Sequence, residues 1–191
     1  MSELTNSGPA GAMAHALAER AAALQAALIE LERYVGRDGW EQPPRLFALV
    51  HTDDVIAAEP GLAESAGLRG SVDGAPPDAL TAIEQDPFAA DADVIDDLAA
   101  VEWPETVFGC ALALERSFLP TTAEADLPTE PDEAAAFVAA HPDRHDVRVV
   151  VGVDRDGNTH GVARLVSQPD ELLGAENLVP GLSDVLAHTL A

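Results

Sequence analysis

The single cysteine is the first residue whose chemistry needs an explanation. Cys110 lies in the stretch "VEWPETVFGCALALER", residues 101–116. A reactive thiol needs nearby cations or a helix N-terminus together with access to solvent, and this stretch suggests neither. In a strand, alternate side chains share a face, so Cys110 falls in one row with Phe108, Leu112 and Leu114. We therefore predict a buried and inert cysteine.

Two histidine-containing motifs have residue types that bind metals. "HTDD" offers His51 and Asp53 at the end of a predicted strand, where such residues commonly form a turn. "HPDRHD" places His141 and His145 four residues apart, which on a helix would align them on one face. Pro142 disfavours a continuous helix there, because proline moves the preceding residue out of the α region. We interpret the two motifs as a turn and a solvated loop.

The motif "DRDGN" has the composition of a calcium-binding loop. An EF-hand loop that began at Asp154 would need glycine at position 6 and glutamate at position 12. Those positions hold Thr159 and Leu165, so we interpret the motif as a hairpin turn. The sequence also has no nucleophile elbow, phosphate-binding loop, dinucleotide fingerprint or zinc-type Cys/His spacing. We therefore predict no catalytic, cofactor-binding or metal-binding residue and no cofactor.

The charge of the chain limits its classes of partner. The 191 residues carry a net charge of −24, and all ten basic residues are arginine. This charge repels phosphate backbones and anionic membranes, and it attracts basic proteins. No apolar run is long enough to span a membrane, and the start "MSELTNSGPAGAM" lacks the features of a signal peptide. We expect a cytoplasmic protein that binds a protein partner, with a basic partner favoured, and neither nucleic acid nor a membrane.

The first half of the chain predicts one long helix and several short elements. Residues 11–35 contain apolar residues spaced 4, 3, 4, 3, 4, which form one helical stripe, namely Leu17, Ala21, Leu24, Leu28, Leu31 and Val35. Residues 45–52 have the length and composition of a strand. Residues 76–87 fit either a strand or a short helix, and we favour the strand. Residues 91–100 predict a short helix.

The second half supplies a helix, a hairpin and a closing helix. Residues 131–141 predict a helix with proline and acids in its first turn. "DVRVVVGVDRDGNTHGVARLVS" predicts two strands joined by Asp-Gly turn chemistry. "NLVPGLSDVLAHTLA" predicts an amphipathic helix. The order α-β-β-β-α-β-β-α indicates an α+β fold, a mainly antiparallel sheet with N-terminal, middle and C-terminal helices packed on it. We assign residues 1–11 to a flexible tail and 12–191 to one domain.

Two sets of small or apolar residues form the candidate partner surface. One face of the central strand and one stripe of the closing helix contribute to it, and its members are Gly109, Ala111, Ala113, Leu182, Leu186 and Leu190. If the 11–35 helix packs on the small face of the strand, one chain covers it, and otherwise a second subunit can. Two-fold pairing is the commonest way to close such surfaces, so we favour a homodimer.

Four phrases carry a resemblance to a known family. "LTAIEQDP", "WPETVFGCALALER", "VRVVVGVDRDG" and "NLVPGLSDVLAHTL" occur in this order. Together they resemble a family of uncharacterised acidic proteins of actinobacteria, from about residue 17 to the end. That resemblance implies lineage and compartment but no mechanism. The order of elements is also similar to that of type III secretion chaperones, which are small, acidic and dimeric and hold extended segments of their partners.

These observations favour a binding function over catalysis. We expect a non-enzymatic acidic binding, adaptor or chaperone-like protein, because the chain is acidic and catalytic motifs are absent. The alternative is an enzyme of unrecognised class whose active site is assembled from distant residues. A concave pocket that gathers polar residues such as His51, Asp53 and His160 would favour that alternative.

Overall fold

The structure, a computed structural model, describes residues 9–85, 88, 94–120, 123 and 126–191. Its six α-helices are α1 (Pro9–Gly36), α2 (Thr52–Ala58), α3 (Pro60–Ala66), α4 (Val94–Ala99), α5 (Pro131–Ala140) and α6 (Pro180–Thr189). Its six strands are β1 (Arg45–His51), β2 (Leu80–Glu84), β3 (Gly109–Phe118), β4 (His145–Asp154), β5 (Thr159–Leu165) and β6 (Leu173–Ala175). A short 3-10 turn covers Ser71–Asp73.

All six strands belong to one sheet with the order β2-β1-β3-β4-β5-β6. Every neighbouring pair is antiparallel. The predicted α+β fold with N-terminal, middle and C-terminal helices is therefore confirmed. β3 and β4 are the longest strands and lie in the middle of the sheet, where their apolar residues are covered on both faces.

Helix α1 covers one face of the sheet. Its residues Leu24, Leu28, Leu31 and Val35 are buried against strand residues that include Phe47, Leu49, Ala111, Ala113, Val150 and Val162. The predicted stripe is therefore confirmed from Leu24 onward. Leu17 is the exception because it is 44% exposed, and it precedes the part of α1 that packs on the sheet.

Helices α4 and α6 cover the opposite face. Leu98 of α4 and Leu182, Leu186 and Leu190 of α6 pack with the other row of strand side chains, which includes Leu46, Cys110, Leu112, Leu114, Val149, Val151 and Val153. The valines of β4 thus alternate as the sequence predicts. The sheet has helices on both faces, so its central strands are apolar on both sides.

A glycine allows α1 to lie close to the sheet. A Cβ atom on Gly152 would lie 2.6 Å from Cδ2 of Leu28 and 3.3 Å from the carbonyl oxygen of Cys110. Any larger residue on this central strand would push against the helix. Larger residues on the small face of β3 would also push against the helix, since Ala111 and Ala113 lie beneath α1 as well.

A buried ion cluster fixes the C-terminal half of α1 to the sheet. Glu32 is 1% exposed and accepts hydrogen bonds from Nε and Nη2 of Arg164 at 2.7 and 2.6 Å. Nη1 of Arg148, whose side chain is 2% exposed, lies 3.7 Å from the Glu32 carboxylate. Arg148 also donates to Glu115 at 2.9 Å and stacks 4.3 Å from the centroid of the Trp40 ring. Two guanidinium groups of β4 and β5 therefore hold one carboxylate of α1.

Three local expectations need correction or completion. Phe108 packs with the α1 cluster and Val107 with the Cys110 cluster, opposite to the predicted rows, because β3 begins only at Gly109 and the strand alternation does not extend before it. Residues 76–87 contain strand β2, as favoured. Helices α2 and α3 and strand β6 were not predicted. Residues 1–8 of the predicted tail and 91–93 of the predicted helix lie outside the described residues, and α1 begins at Pro9.

Candidate binding groove

A groove of about 1060 Å³ lies between α1 and the edge strand β2. We call it the α1–β2 groove. Alanines of α1 line one side, residues 67–69 and 75–79 line another, and Phe47, Leu80 and Ala82 of the sheet lie beneath. Its α1 side consists of Glu19, Ala22, Ala23, Ala26, Ala27, Glu30, Leu31, Arg33 and Tyr34, with Arg37 in the turn that follows α1. The surface is largely apolar and ends in charged side chains.

Polar contacts connect α1 to the β2 region at both ends of the groove. Near one end, Arg20 of α1 lies 3.5 Å from Asp78. At the other end, the Tyr34 hydroxyl donates to Glu84 at 3.3 Å. Fourteen residues separate Arg20 from Tyr34, which is roughly 21 Å along a helix. An extended segment of about six residues has this length.

The groove is open because alanines face it and because β2 is an edge strand. Ala22 and Ala26 are exposed, and their methyl groups are too short to fill the space between α1 and β2. In the described part of the chain, β2 pairs only with β1, so its outer edge presents unpaired backbone groups. Such an edge can accept an added strand.

The charges of the groove differ from those of the whole chain. Two of its carboxylates are paired, Asp78 with Arg20 and Glu84 with Arg45, and these arginines also bind Asp156 and Asp38. Arg45 donates two hydrogen bonds of 2.6 Å to Glu84, and this pairing lowers the pKa of the carboxyl group. Among the described residues, the guanidinium groups of Arg33 and Arg37 have neither an ion pair nor a hydrogen bond.

The six residues of the predicted partner surface lie in the interior of the chain. Ala111 and Ala113 lie under α1, and Gly109 is also buried. Leu182, Leu186 and Leu190 pack under the opposite face of the sheet. The helix therefore covers the small face within one chain.

The structure does not bring together the polar residues that would favour an enzyme. His51 stacks on Phe108 with ring centroids 4.4 Å apart. Asp53 accepts a hydrogen bond from the backbone N–H of Ser71 at 2.8 Å, and bonds from Ser71 lower its pKa. His160 lies on β5, and β3 and β4 separate it from β1, which places the two strands roughly 14 Å apart.

The remaining motifs are structural. His141 ends α5 and His145 begins β4, so no helix aligns them. The "DRDGN" motif is the β4–β5 turn, in which Asp154 accepts hydrogen bonds from the backbone N–H groups of Asp156 and Asn158 at 3.0 and 2.9 Å. Gly157 adopts a positive φ of 83°, which suits a tight turn. Within the described residues, no group of three or more His, Cys, Asp or Glu side chains could hold a metal ion.

Cys110 is fully buried, as the sequence predicts. Its sulfur lies 3.7 Å from the carbonyl oxygen of Leu186 and 3.6 Å from the Thr189 hydroxyl. Burial raises the pKa of the thiol to about 11. The thiolate, which is the nucleophilic form, is therefore scarce and shielded at neutral pH.

We expect the native chain to react with a thiol reagent at pH 8 far more slowly than the unfolded chain. The measurement is the rate of colour release from an aromatic disulfide reagent, with and without denaturant. Since the chain has one cysteine, the unfolded protein should release one equivalent. Rapid stoichiometric labelling of the folded protein would contradict the buried assignment.

Sequence reasoning missed the groove because its parts are distant in the chain. α1 and β2 meet only through the fold, and residues 67–69 belong to a segment for which the sequence analysis predicts no helix or strand. One local signal was available. Arg33 and Tyr34 lie on the predicted helix and Arg37 follows its end, so two cations and an aromatic ring occur within five residues.

The chain is thus an α+β protein in which an antiparallel sheet has helices on both faces and an open groove at one edge. Residues 24–191 match the family described as PPA1309-like protein, and the chain belongs to that family. The match begins at Leu24, where α1 becomes buried. No curated protein and no solved structure is significantly similar. None of the described helices is long and apolar enough to cross a membrane.

Proposed function

We propose that the chain is a non-enzymatic binding or adaptor protein that holds a short extended segment of a partner protein in the α1–β2 groove. The observation that carries this proposal is the open groove itself, about 1060 Å³ in volume, beside an unpaired strand edge. Its apolar floor supplies burial, and the β2 edge supplies backbone hydrogen bonds. The chaperone-like character and the cytoplasmic location belong to the same proposal.

The overall charge supports a partner that is basic outside the bound segment. A net charge of −24 attracts basic surfaces over long range and accelerates their encounter with this chain. It also opposes nucleic acid, since phosphates would be repelled. Among the basic proteins that the charge attracts, the groove then selects those with a segment that fits it.

A tryptophan at Ala26 is expected to block the groove. Ala26 is exposed and lines the groove, so the larger ring fills space without disturbing the core. A displayed library of random eight-residue peptides is selected on the native chain, and the selected peptides are tested on variants. We expect them to bind the native chain and Gln25→Trp, which alters an exposed residue outside the groove on the same helix, but not Ala26→Trp. Selection that yields no such peptide overturns the proposal.

Pairing with a second copy is a separate part of the proposal. The homodimer was predicted for a free small-residue face, and α1 covers that face. Exposed apolar residues elsewhere, such as Met13 and Leu17 of α1, are the remaining surface for it. Light scattering at micromolar concentration decides the question. A dimer gives twice the chain mass of 19.9 kDa, whereas the single-chain mass, unchanged on concentration, rejects it.

A further inference from the structure

We propose that the segment bound in the α1–β2 groove carries carboxylates at its ends and apolar residues at its centre. This inference rests on the proposed function and specifies the chemistry of the partner segment. It also differs from what the net charge of the chain suggests, because three arginines of the groove lining have no carboxylate partner among the described residues.

The balance of unpaired charges carries the inference. Of the four carboxylates in the groove lining, Asp78 and Glu84 are paired with arginines that also bind Asp156 and Asp38, and Glu19 lies 3.3 Å from His15. Glu30 is the lining carboxylate that has no partner among the described residues. The three lining arginines, in contrast, have no carboxylate partner in the described part of the chain: Arg33, Arg37 and Arg69.

These arginines lie toward opposite ends of the groove. Arg33, at the end of α1, and Arg37, in the turn that follows it, lie on either side of Tyr34 in the sequence, and the Tyr34 hydroxyl marks the Glu84 end. Among the described residues, the Arg69 side chain donates only to the backbone carbonyl oxygen of Asp73, and its loop lines the groove together with residues 75–79 near the Asp78 end. Alanines occupy the space between. A segment with carboxylates at both ends and small apolar residues in the middle complements this arrangement.

The net charge of −24 does not prevent such binding at physiological salt. Interactions between exposed charges are largely screened beyond about 8 Å in 0.15 M salt. A bound carboxylate therefore responds chiefly to the guanidinium groups within reach. Guanidinium also suits this role because its fork of donors can bind a carboxylate with two hydrogen bonds.

The composition of the selected peptides tests the inference. Eight-residue peptides whose binding is lost in Ala26→Trp are sequenced, and we expect Asp or Glu to be enriched at their ends. One selected peptide is then synthesised with its acids intact and with each acid changed to the matching amide. By fluorescence anisotropy at about 0.15 M salt, we expect the amide form to bind the native chain on the order of tenfold more weakly.

Charge reversal at Arg33 and Arg37 supplies a second comparison. Arg33→Glu/Arg37→Glu should weaken the acidic peptide by at least the same factor and leave the amide peptide little changed. Arg116→Glu is the control, because Arg116 is exposed, lacks a carboxylate partner among the described residues and lies outside the groove. It removes one positive charge and adds a negative one without touching the groove, so it should leave both peptides unaffected.

Each outcome decides one of the two proposals. We call a peptide groove-dependent when Ala26→Trp abolishes its binding. If the groove-dependent peptides are neutral or basic, the carboxylate inference is overturned and the proposed function stands. A library without groove-dependent peptides overturns both. If the native chain is a dimer by light scattering and Ala26→Trp is a monomer, the occupant of the groove is a second copy, and the inference of a partner segment is wrong.

Discussion

Replacing Ala111 with glutamate is expected to leave the chain without a stable fold. Ala111 is fully buried in β3, opposite Phe47 on one side and Gly152 on the other, and it lies beneath α1. A carboxylate there would have neither water nor a described cation, and even the protonated form would exceed the available space. The cost of several kcal/mol is comparable to the whole stability of a domain, which is about 5–15 kcal/mol.

The measurement for Ala111→Glu is thermal unfolding followed by circular dichroism, together with gel filtration. We expect no cooperative transition. Ala18→Glu is the control, because Ala18 is exposed on the same helix that covers Ala111, and it should unfold like the native chain. A folded Ala111→Glu chain that has only lost a second subunit would show that α1 does not cover this residue in solution.

Glu32→Gln is expected to lower the free energy of unfolding by about 3 kcal/mol. The Glu32 carboxylate is held by Arg164 and lies 3.7 Å from Arg148, and the bond to Glu32 raises the pKa of Arg164. The amide keeps the shape of the side chain but leaves two guanidinium groups without their shared anion. Removing one member of a buried ion pair is costly for this reason.

Urea unfolding of Glu32→Gln measures this loss, and Glu30→Gln provides the comparison. Glu30 lies on the same helix, is exposed and has no described partner, so its amide should change the stability by at most about 0.5 kcal/mol. Equal urea midpoints for the two variants would mean that the Glu32 carboxylate contributes little to the stability of the fold. The buried cluster would then be incidental to the docking of α1.

The features that depend only on neighbouring residues in the sequence were predicted correctly. The 3.6-residue period of Leu24, Leu28, Leu31 and Val35 follows from helix geometry alone, and so does their burial on one side. The β4–β5 hairpin followed from alternating valines and the Asp-Gly turn at residues 154–158. The burial of Cys110 followed from its apolar neighbours.

The candidate site depends on contacts between distant residues, and for that reason the sequence did not predict it. Arg33 and Arg69 are separated by 36 positions and meet the same groove only because β2 returns beside β1. Likewise, Glu32 and Arg164 pair across 132 positions, and no local pattern marks either residue as buried. The packing of α1 over Ala111 and Ala113 was left open for the same reason, since the sequence does not show which helix covers β3.

The acidity of the chain, its α+β class and the apolar positions of its longest helix follow from the amino-acid sequence alone. These properties depend on composition and on the short repeats of apolar residues, every second residue in a strand and about every 3.6 residues in a helix, which can be seen in the sequence without the fold. The tertiary structure decided that α1 covers Ala111 rather than a second subunit, and that Ala22 and Ala26 face an open groove beside β2. Those outcomes depend on strand order and on the docking of one helix, because whether a side chain is buried or exposed is set by the neighbours that the fold brings to it.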